Sequence, residues 1–252
     1  KVLNQSSKGK IKMLCANVEN GDMFKMLLNQ IGGSYFDKDG KVTAGDSSFQ
    51  KATIELKKLN DSGIILGAKG NTTQSLVDGT TAFTPAGVDF AYFLSSQDPA
   101  QRGDFGIMKF PAFENGGKNS ISYDGSSIVA INTDTNKALI KDFLKFAATD
   151  KETLLDSFTN YSNFSAYLPV YNLKYFNNNV LYFNGENIWN KFIESGKDAP
   201  DFIYTKDFET VDNNVLDTQT KVLKGENIIN TLKGMQSSMR INPSKWIFTD
   251  KT

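Results

Sequence analysis

Up to about residue 150 the chain alternates short apolar runs with longer stretches in which apolar positions recur every three or four residues; beyond that, helical spacing dominates. The first run, Ile11 to Val18, is apolar between polar flanks and predicts a strand. "GDMFKMLLNQIGG" follows, in which Met23, Met26, Leu27 and Gln30 share one helical face and Gly32-Gly33 predicts the stop. Asp39-Gly40 in "YFDKDGKVT" predicts a tight turn between two short β-prone pieces. In "DSSFQKATIELKKLNDSGII", Asp46 or Ser47 can accept the free amide hydrogens of a first helical turn. Phe49, Ala52, Leu56 and Leu59 keep helical spacing there, and Gly63 suits the position just past the helix end.

A short helix to Val77 and a strand from Thr80 to Thr84 come next, then a turn at Pro85 and Gly87 and an aromatic helix from near Asp89. "DFGIMKFPAF" predicts another strand, closed by Pro111. Ser127 to Asn132 is a further β-branched run, and Thr135 or Asn136 caps a helix expected to turn Leu139, Phe143, Leu144 and Ala147 inward. Past Thr153 the pattern is helical and aromatic, loops through "SAYLPVYN", and resumes in "NGENIWNKFIESG", "VDNNVLDTQTKVLKG" and "ENIINTLKGMQSSM". Strands alternating with helices at this spacing predict an α/β fold with mainly parallel pairing.

Composition narrows the function classes. Lys plus Arg and Asp plus Glu balance at 28 each, so the basic excess of a nucleic-acid binder is missing and nucleic acid is not an expected partner. The apolar runs are far too short to span a bilayer as helices. Cys15 is the only cysteine, so no intrachain disulfide forms, and "IKMLCANV" reads as a buried strand in which it is a small hydrophobe. There is no His, which removes the commonest general base and the commonest transition-metal ligand. No cofactor and no metal site are expected. The start, "KVLNQSSKGK", lacks the apolar stretch of a signal peptide and reads as the beginning of a piece of something longer.

Individual motifs for catalysis fail on their spacing. Asp37-Lys38-Asp39-Gly40 begins like a calcium loop, but the position wanting Glu holds Asp46, which suits a helix cap better. Carboxylate pairs such as Glu152 with Asp156 or Asp207 with Glu209 read as solvated surface charge rather than a glycosidase pair. Ser126 and Ser127 are not in a nucleophile elbow, and "KGENIINTLKG" lacks the Lys-Ser/Thr of a phosphate loop. Aromatic residues make up 12% of the chain, and several flank polar turns: Phe90 and Tyr92 after Gly87, Tyr123 before Asp124-Gly125, and Tyr167 before Leu168-Pro169. A flat ring beside Asp, Asn and Ser is what a sugar needs: the ring covers the apolar face of the pyranose and the polar groups bond its hydroxyls.

The order of four segments carries more than any one motif. "IGGSYFDKDGKVTAGDSSFQKATIELKKLNDSGII", "LVDGTTAFTPAGVDFA", "DFGIMKFPAF" and "YDGSSIVAINTDTNKALIKDFLKFAATDKE" together resemble the extracellular solute-binding proteins of carbohydrate ABC importers, the maltose-binding-protein-like group. The resemblance runs from about Lys10 to Asp156 and fades afterwards. It implies a type II periplasmic-binding-protein-like α/β fold, in which two lobes close on a sugar and no catalysis takes place. It also implies that the chain is mainly the C-terminal lobe with part of the N-terminal lobe. Residues 1–108 would be the first part of the C-terminal lobe, 109–155 the return segment of the N-terminal lobe, and 156–252 the helical second part of the C-terminal lobe.

Carried onto this chain, the resemblance places Asp22 and Met23, with Asn20, on a ligand-facing loop, and Gly87, Asp89 and Phe90 on another. Asp89 stands where the family has a stacking Trp, with Phe90 as a displaced platform. Tyr123, Asp124, Gly125 and Ser126 form a cleft-facing turn, in which Gly125 lets the backbone approach a ligand. Asp212 and Asn213 fall near a further contact region. Asp22, Asp89, Asp124, Ser126 and Asp212 would hydrogen-bond the ligand, and Phe90 or Tyr123 would stack on it. The implied partners are a small carbohydrate and a membrane ABC permease, and the implied location is extracellular or periplasmic, as a cell-surface lipoprotein in the full-length parent. The resemblance further implies that 109–155 leaves apolar surface open, to be covered by another chain or by altered packing, with weak sugar affinity. Other readings stay open: a peptide, polyamine or glycerol-phosphate binder, a glycoside-processing enzyme with a close carboxylate pair, or an adhesion module.

Overall fold

A computed structural model describes residues 5–67, 72–96, 99–122, 125–132, 136–239 and 247–249. In chain order the strands are β1 (Lys12–Cys15), β2 (Ile65–Leu66), β3 (Thr81–Phe83), β4 (Ile203–Thr205) and β5 (Ile247–Thr249). The α-helices are α1 (Asp22–Gln30), α2 (Ser47–Asp61), α3 (Thr72–Val77), α4 (Val88–Ser95), α5 (Lys137–Thr149), α6 (Lys151–Tyr161), α7 (Ile188–Asp198), α8 (Phe208–Leu223) and α9 (Ile228–Ser238). The chain divides into two units. One comprises Lys1–Pro85, Phe110–Tyr123 and Asp198–Thr252; the other comprises Ala86–Lys109 and Asp124–Lys197. The boundaries expected at 108/109 and 155/156 both fall inside the second unit.

The first unit is built on the predicted alternation. β1 lies between β2 and β3, parallel to both, with Leu14 opposite Ile65 and Lys12 opposite Thr81. Parallel neighbours need long crossovers, and α1 with α2, then α3, supply them. Between α1 and α2 the predicted turn forms: Phe36 bridges Val42 antiparallel, and the Asp37 carboxylate accepts the amide N–H of Asp39 and of Lys41, both at 2.9 Å. Those bonds let Asp37 close its own turn. A second, antiparallel pair, β4 with β5, has no counterpart among the predicted strands.

Apolar faces of α1, α2, α8 and α9 close over this unit, burying Phe24, Leu28, Phe49, Leu56, Val211 and Leu232. Cys15 is buried on β1. Two amides of α1 are buried and hydrogen-bonded to distant segments. Asn29 Nδ2 donates to Pro200 O at 3.0 Å while its Oδ1 accepts from Ser122 N at 2.7 Å. Gln30 Nε2 donates to Pro111 O and to Lys118 O, both at 2.9 Å. These bonds hold 110–122 against α1 without a strand, and the strand expected over "DFGIMKFPAF" is absent. Side chains meet its carbonyls instead: in the second unit Lys191 Nζ donates to Ile107 O at 2.8 Å.

The second unit centres on Phe158, whose ring is met edge-on by Trp189 at 5.1 Å and by Tyr175 at 5.8 Å, with Phe176 at 5.2 Å and Tyr92 at 6.3 Å. The Tyr92 hydroxyl donates to Thr159 O. Asp150 ends α5 and caps α6, accepting from Thr153 N at 2.9 Å, and this bond holds its carboxyl below the usual range. Two expectations are corrected here. Ser127 to Asn132 forms no strand, and its residues are exposed. α5 forms as predicted but buries no residue, so Leu139 and Phe143 face outward rather than into a core. A strand needs a neighbour for its backbone and cover for its faces, and the described residues bring neither to this segment.

Candidate functional site

A polar cluster gathers at the start of α1, beside α8. Gly21 precedes α1 with φ at +79°, a left-handed conformation that a β-carbon penalises, and it turns the chain between Asn20 and Asp22. Asp22 N donates to Asn20 Oδ1 at 3.1 Å, and Asn20 Nδ2 donates to the Asp22 carboxylate. One helical turn on, Lys25 Nζ sits 3.3 Å from Asp22 Oδ1 and 3.7 Å from Asp212 Oδ1. From the core side, the buried Tyr35 hydroxyl donates to Asp212 Oδ1 at 2.7 Å. Burial, and then the Asp212 charge, push the Tyr35 phenol well above its ordinary value. Its ring is fixed by Phe202 at 5.3 Å and Phe208 at 5.4 Å.

The carboxylates keep about a third of their side-chain surface, 31% for Asp22 and 32% for Asp212, and Lys25 keeps 19%. Ion pairs this exposed contribute about 0–1 kcal/mol to stability. Two acids sharing one lysine therefore make a weak structural device. As a recognition surface they make sense: two acceptors and an ammonium are held in place by a turn, a helix and a buried hydroxyl, ready for donors and acceptors on a ligand.

The predicted site residues thus separate into groups. Asp22 and Asp212, far apart in sequence, come together through Lys25. Asn213 is exposed on α8 one residue on. Met23 packs into the core of the first unit. Gly87, Asp89 and Phe90 lie in the second unit, where Gly87 precedes α4, Asp89 is exposed in its first turn and Phe90 is half-buried. Gly125 and Ser126 are exposed in the same unit, while Tyr123 and Asp124 lie outside the described residues. Lys25 and Tyr35 were not among the predicted site residues. The i, i+3 spacing of Asp22 and Lys25 was a readable signal. For Tyr35 there was none, because its partner is 177 residues away.

Comparison with known proteins identifies the family and the fold. The family model "bacterial extracellular solute-binding protein" matches residues 16–154. No curated protein matches the chain. Among solved structures, the sugar-binding protein MalE of Xanthomonas citri superposes with a TM-score of 0.76 at 12% identity, covering 91% of this chain and 57% of that one. The GacH receptor of Streptomyces glaucescens, solved unliganded and with acarbose, gives 0.65 at 18% identity over 93% of this chain and 60% of that one. The maltose/maltodextrin-binding domain MalE of Bdellovibrio bacteriovorus, bound to maltotriose, gives 0.60 at 18%, over 91% and 60%. The chain therefore spans between 57% and 60% of the length of these structures. They share its α/β, periplasmic-binding-protein-like fold.

Proposed function

Because the chain belongs to the bacterial extracellular solute-binding protein family, we propose that it is the ligand-binding component of an ABC importer and that its ligand is a carbohydrate. The cluster of Asp22, Lys25 and Asp212 carries this reading. A saccharide presents hydroxyls that both donate and accept, and the cluster offers carboxylates as acceptors and an ammonium as donor within a few ångströms. Asn20 and Asn213 extend the same chemistry along the surface. Taken by itself, the second unit also carries a carboxylate, Asp89, and a ring, Phe90, of the kind a sugar uses. The solved relatives that bind acarbose and maltotriose support a saccharide as the solute class.

The mechanism is binding without turnover. Closure of two lobes on the ligand in the whole protein shifts an open–closed equilibrium by differential affinity, and the closed form delivers the ligand to a membrane permease. The protein acts outside the cytoplasmic membrane, held there as a lipoprotein. The test is a thermal-shift and calorimetric screen of mono- and oligosaccharides on the full-length protein. A ligand at a hundred times its Kd adds about 2.7 kcal/mol. Asp212→Asn, which keeps an acceptor for Tyr35, should weaken the active saccharide about 10- to 100-fold with an unchanged far-ultraviolet circular dichroism spectrum. Stabilisation by a polyamine and by no saccharide would reassign the two carboxylates to a cationic solute.

A further inference from the structure

A recess of about 360 Å³ opens inside the second unit, between the end of α4, Arg102 and the stretch 175–182. None of the residues lining it belongs to the cluster of Asp22, Lys25 and Asp212. Its walls are rings: Tyr92 from α4, Tyr175 and Tyr182, and Trp189 from α7. These rings are held from behind. The Tyr92 hydroxyl donates to Thr159 O, Tyr182 stacks on Phe105 at 5.7 Å, and Trp189 meets Phe158 edge-on at 5.1 Å. The backbone is tied as well. Val180 N donates to Glu186 O at 2.9 Å across a turn in which Asn184 and Gly185 both take left-handed conformations, with φ at +55° and +72°. Gly103 N donates to Tyr182 O at 3.0 Å, which sets Arg102 beside the rings. Arg102, Asn178 and Asn179 stand exposed among the lining residues, and none of their side chains bonds another described residue. Among the described residues no Asp or Glu lines the recess.

We propose that this recess binds an anionic hexose, a sugar ring carrying one carboxylate or phosphate. Its volume falls within the range of small-molecule sites, about 300–1,000 Å³. Fixed rings give flat cover for the C–H face of a pyranose and lose little freedom on binding it. Each Asn amide offers two donors and an acceptor, the set that neighbouring hydroxyls require. The guanidinium of Arg102 forks onto two oxygens of a carboxylate or phosphate, and no lining carboxylate of a described residue competes for it. A cationic ligand would meet Arg102 with nothing to offset it, and a purely apolar one would leave both amides unused. The charge is the reverse of that in the cluster on α1, where two carboxylates share one ammonium. The proposal rests on the second unit alone and is independent of what the cluster binds.

Calorimetric titration of the full-length protein with glucuronate, glucose 6-phosphate and inorganic phosphate tests it. At least one of the two sugar anions is expected to bind, and the tighter of them identifies carboxylate or phosphate as the group that is read. Arg102→Gln, an exposed change, should weaken that anion about tenfold with an unchanged circular dichroism spectrum, and Arg102→Lys should recover only part of the loss. Asn178→Ala combined with Asn179→Ala should weaken it by about tenfold through the hydroxyls. Asp212→Asn should leave its affinity unchanged. Binding of neither sugar anion overturns the proposal, as does full affinity in Arg102→Gln. Inorganic phosphate binding as tightly as the sugar anion would also overturn it, because the rings and amides would then contribute nothing. A loss in Asp212→Asn equal to that in Arg102→Gln would put the anion at the cluster and overturn it too. A saccharide screen that fails leaves these titrations as they are, so the two readings fall separately.

Discussion

Two stretches of this chain share one pattern and meet different fates. β1 followed by α1, and Ser127–Asn132 followed by α5, are each an apolar run, a polar turn and an amphipathic helix. In the first, the run pairs with strands on both sides and the helix buries Met23, Phe24, Leu27 and Leu28. In the second, the run joins no strand and the helix buries nothing. Periodicity states which face of an element is apolar; only a partner turns that face into an interior. The first unit supplies partners from 110–122, 198–202, α8 and α9, all arriving from distant sequence. The second unit spends its aromatic residues on the cluster around Phe158 and leaves the α5 side bare.

The comparison yields graded tests by urea unfolding of the isolated chain. The largest effect is expected where the second unit is closed: Phe158→Ala, truncating a 1% exposed ring, should cost about 3–5 kcal/mol, read through Trp189 fluorescence. Leu28→Ala in α1, fully buried, should cost about 2–5 kcal/mol by circular dichroism. Tyr35→Phe, which removes one buried hydroxyl and its bond to Asp212, should cost about 0.5–1.5 kcal/mol at neutral pH.

The same variant has a pH signature. The folded Tyr35 phenol titrates above its unfolded value of about 10, so its contribution is intact below that pH and is lost as pH rises through the folded value. Tyr35→Phe should therefore show a shallower alkaline decline in unfolding free energy than the parent. The smallest effect belongs to the bare face: Phe143→Ser should shift stability by no more than about 0.5 kcal/mol. A cost near that of Leu28→Ala would mean that α5 is buried in solution, and the contrast between the two stretches would collapse.

Much of the fold was legible because its signals are local. Gly63 past α2, the turn at Gly40, the faces of α1 and α2, and α8 and α9 all follow from spacing and cap chemistry within a few residues. The misses are long-range. β2 is two residues long and β4 three, too short for any period to register, and each exists through its partner strand. "DFGIMKFPAF" looked like a strand because it is apolar, but Gln30 and Lys191 take up its carbonyls. In the cluster, the meeting of Asp22 and Asp212 through Lys25 had no local signal in the sequence. Met23, next to Asp22, is packed into the core, since a helix turns adjacent residues to different surroundings.

Residue order alone fixed where this polypeptide coils, where it turns and which side of each helix is oily, because those properties follow from steric and hydrogen-bonding preferences spanning four or five positions. It took the folded arrangement to decide that Tyr35 would reach Asp212, that Gln30 would bond the carbonyls of Pro111 and Lys118 where a strand was expected, and that Leu139, Phe143 and Phe146 on α5 would stay exposed. Such outcomes depend on which distant segments compete for the same apolar surface and the same backbone groups, and no local preference encodes that competition.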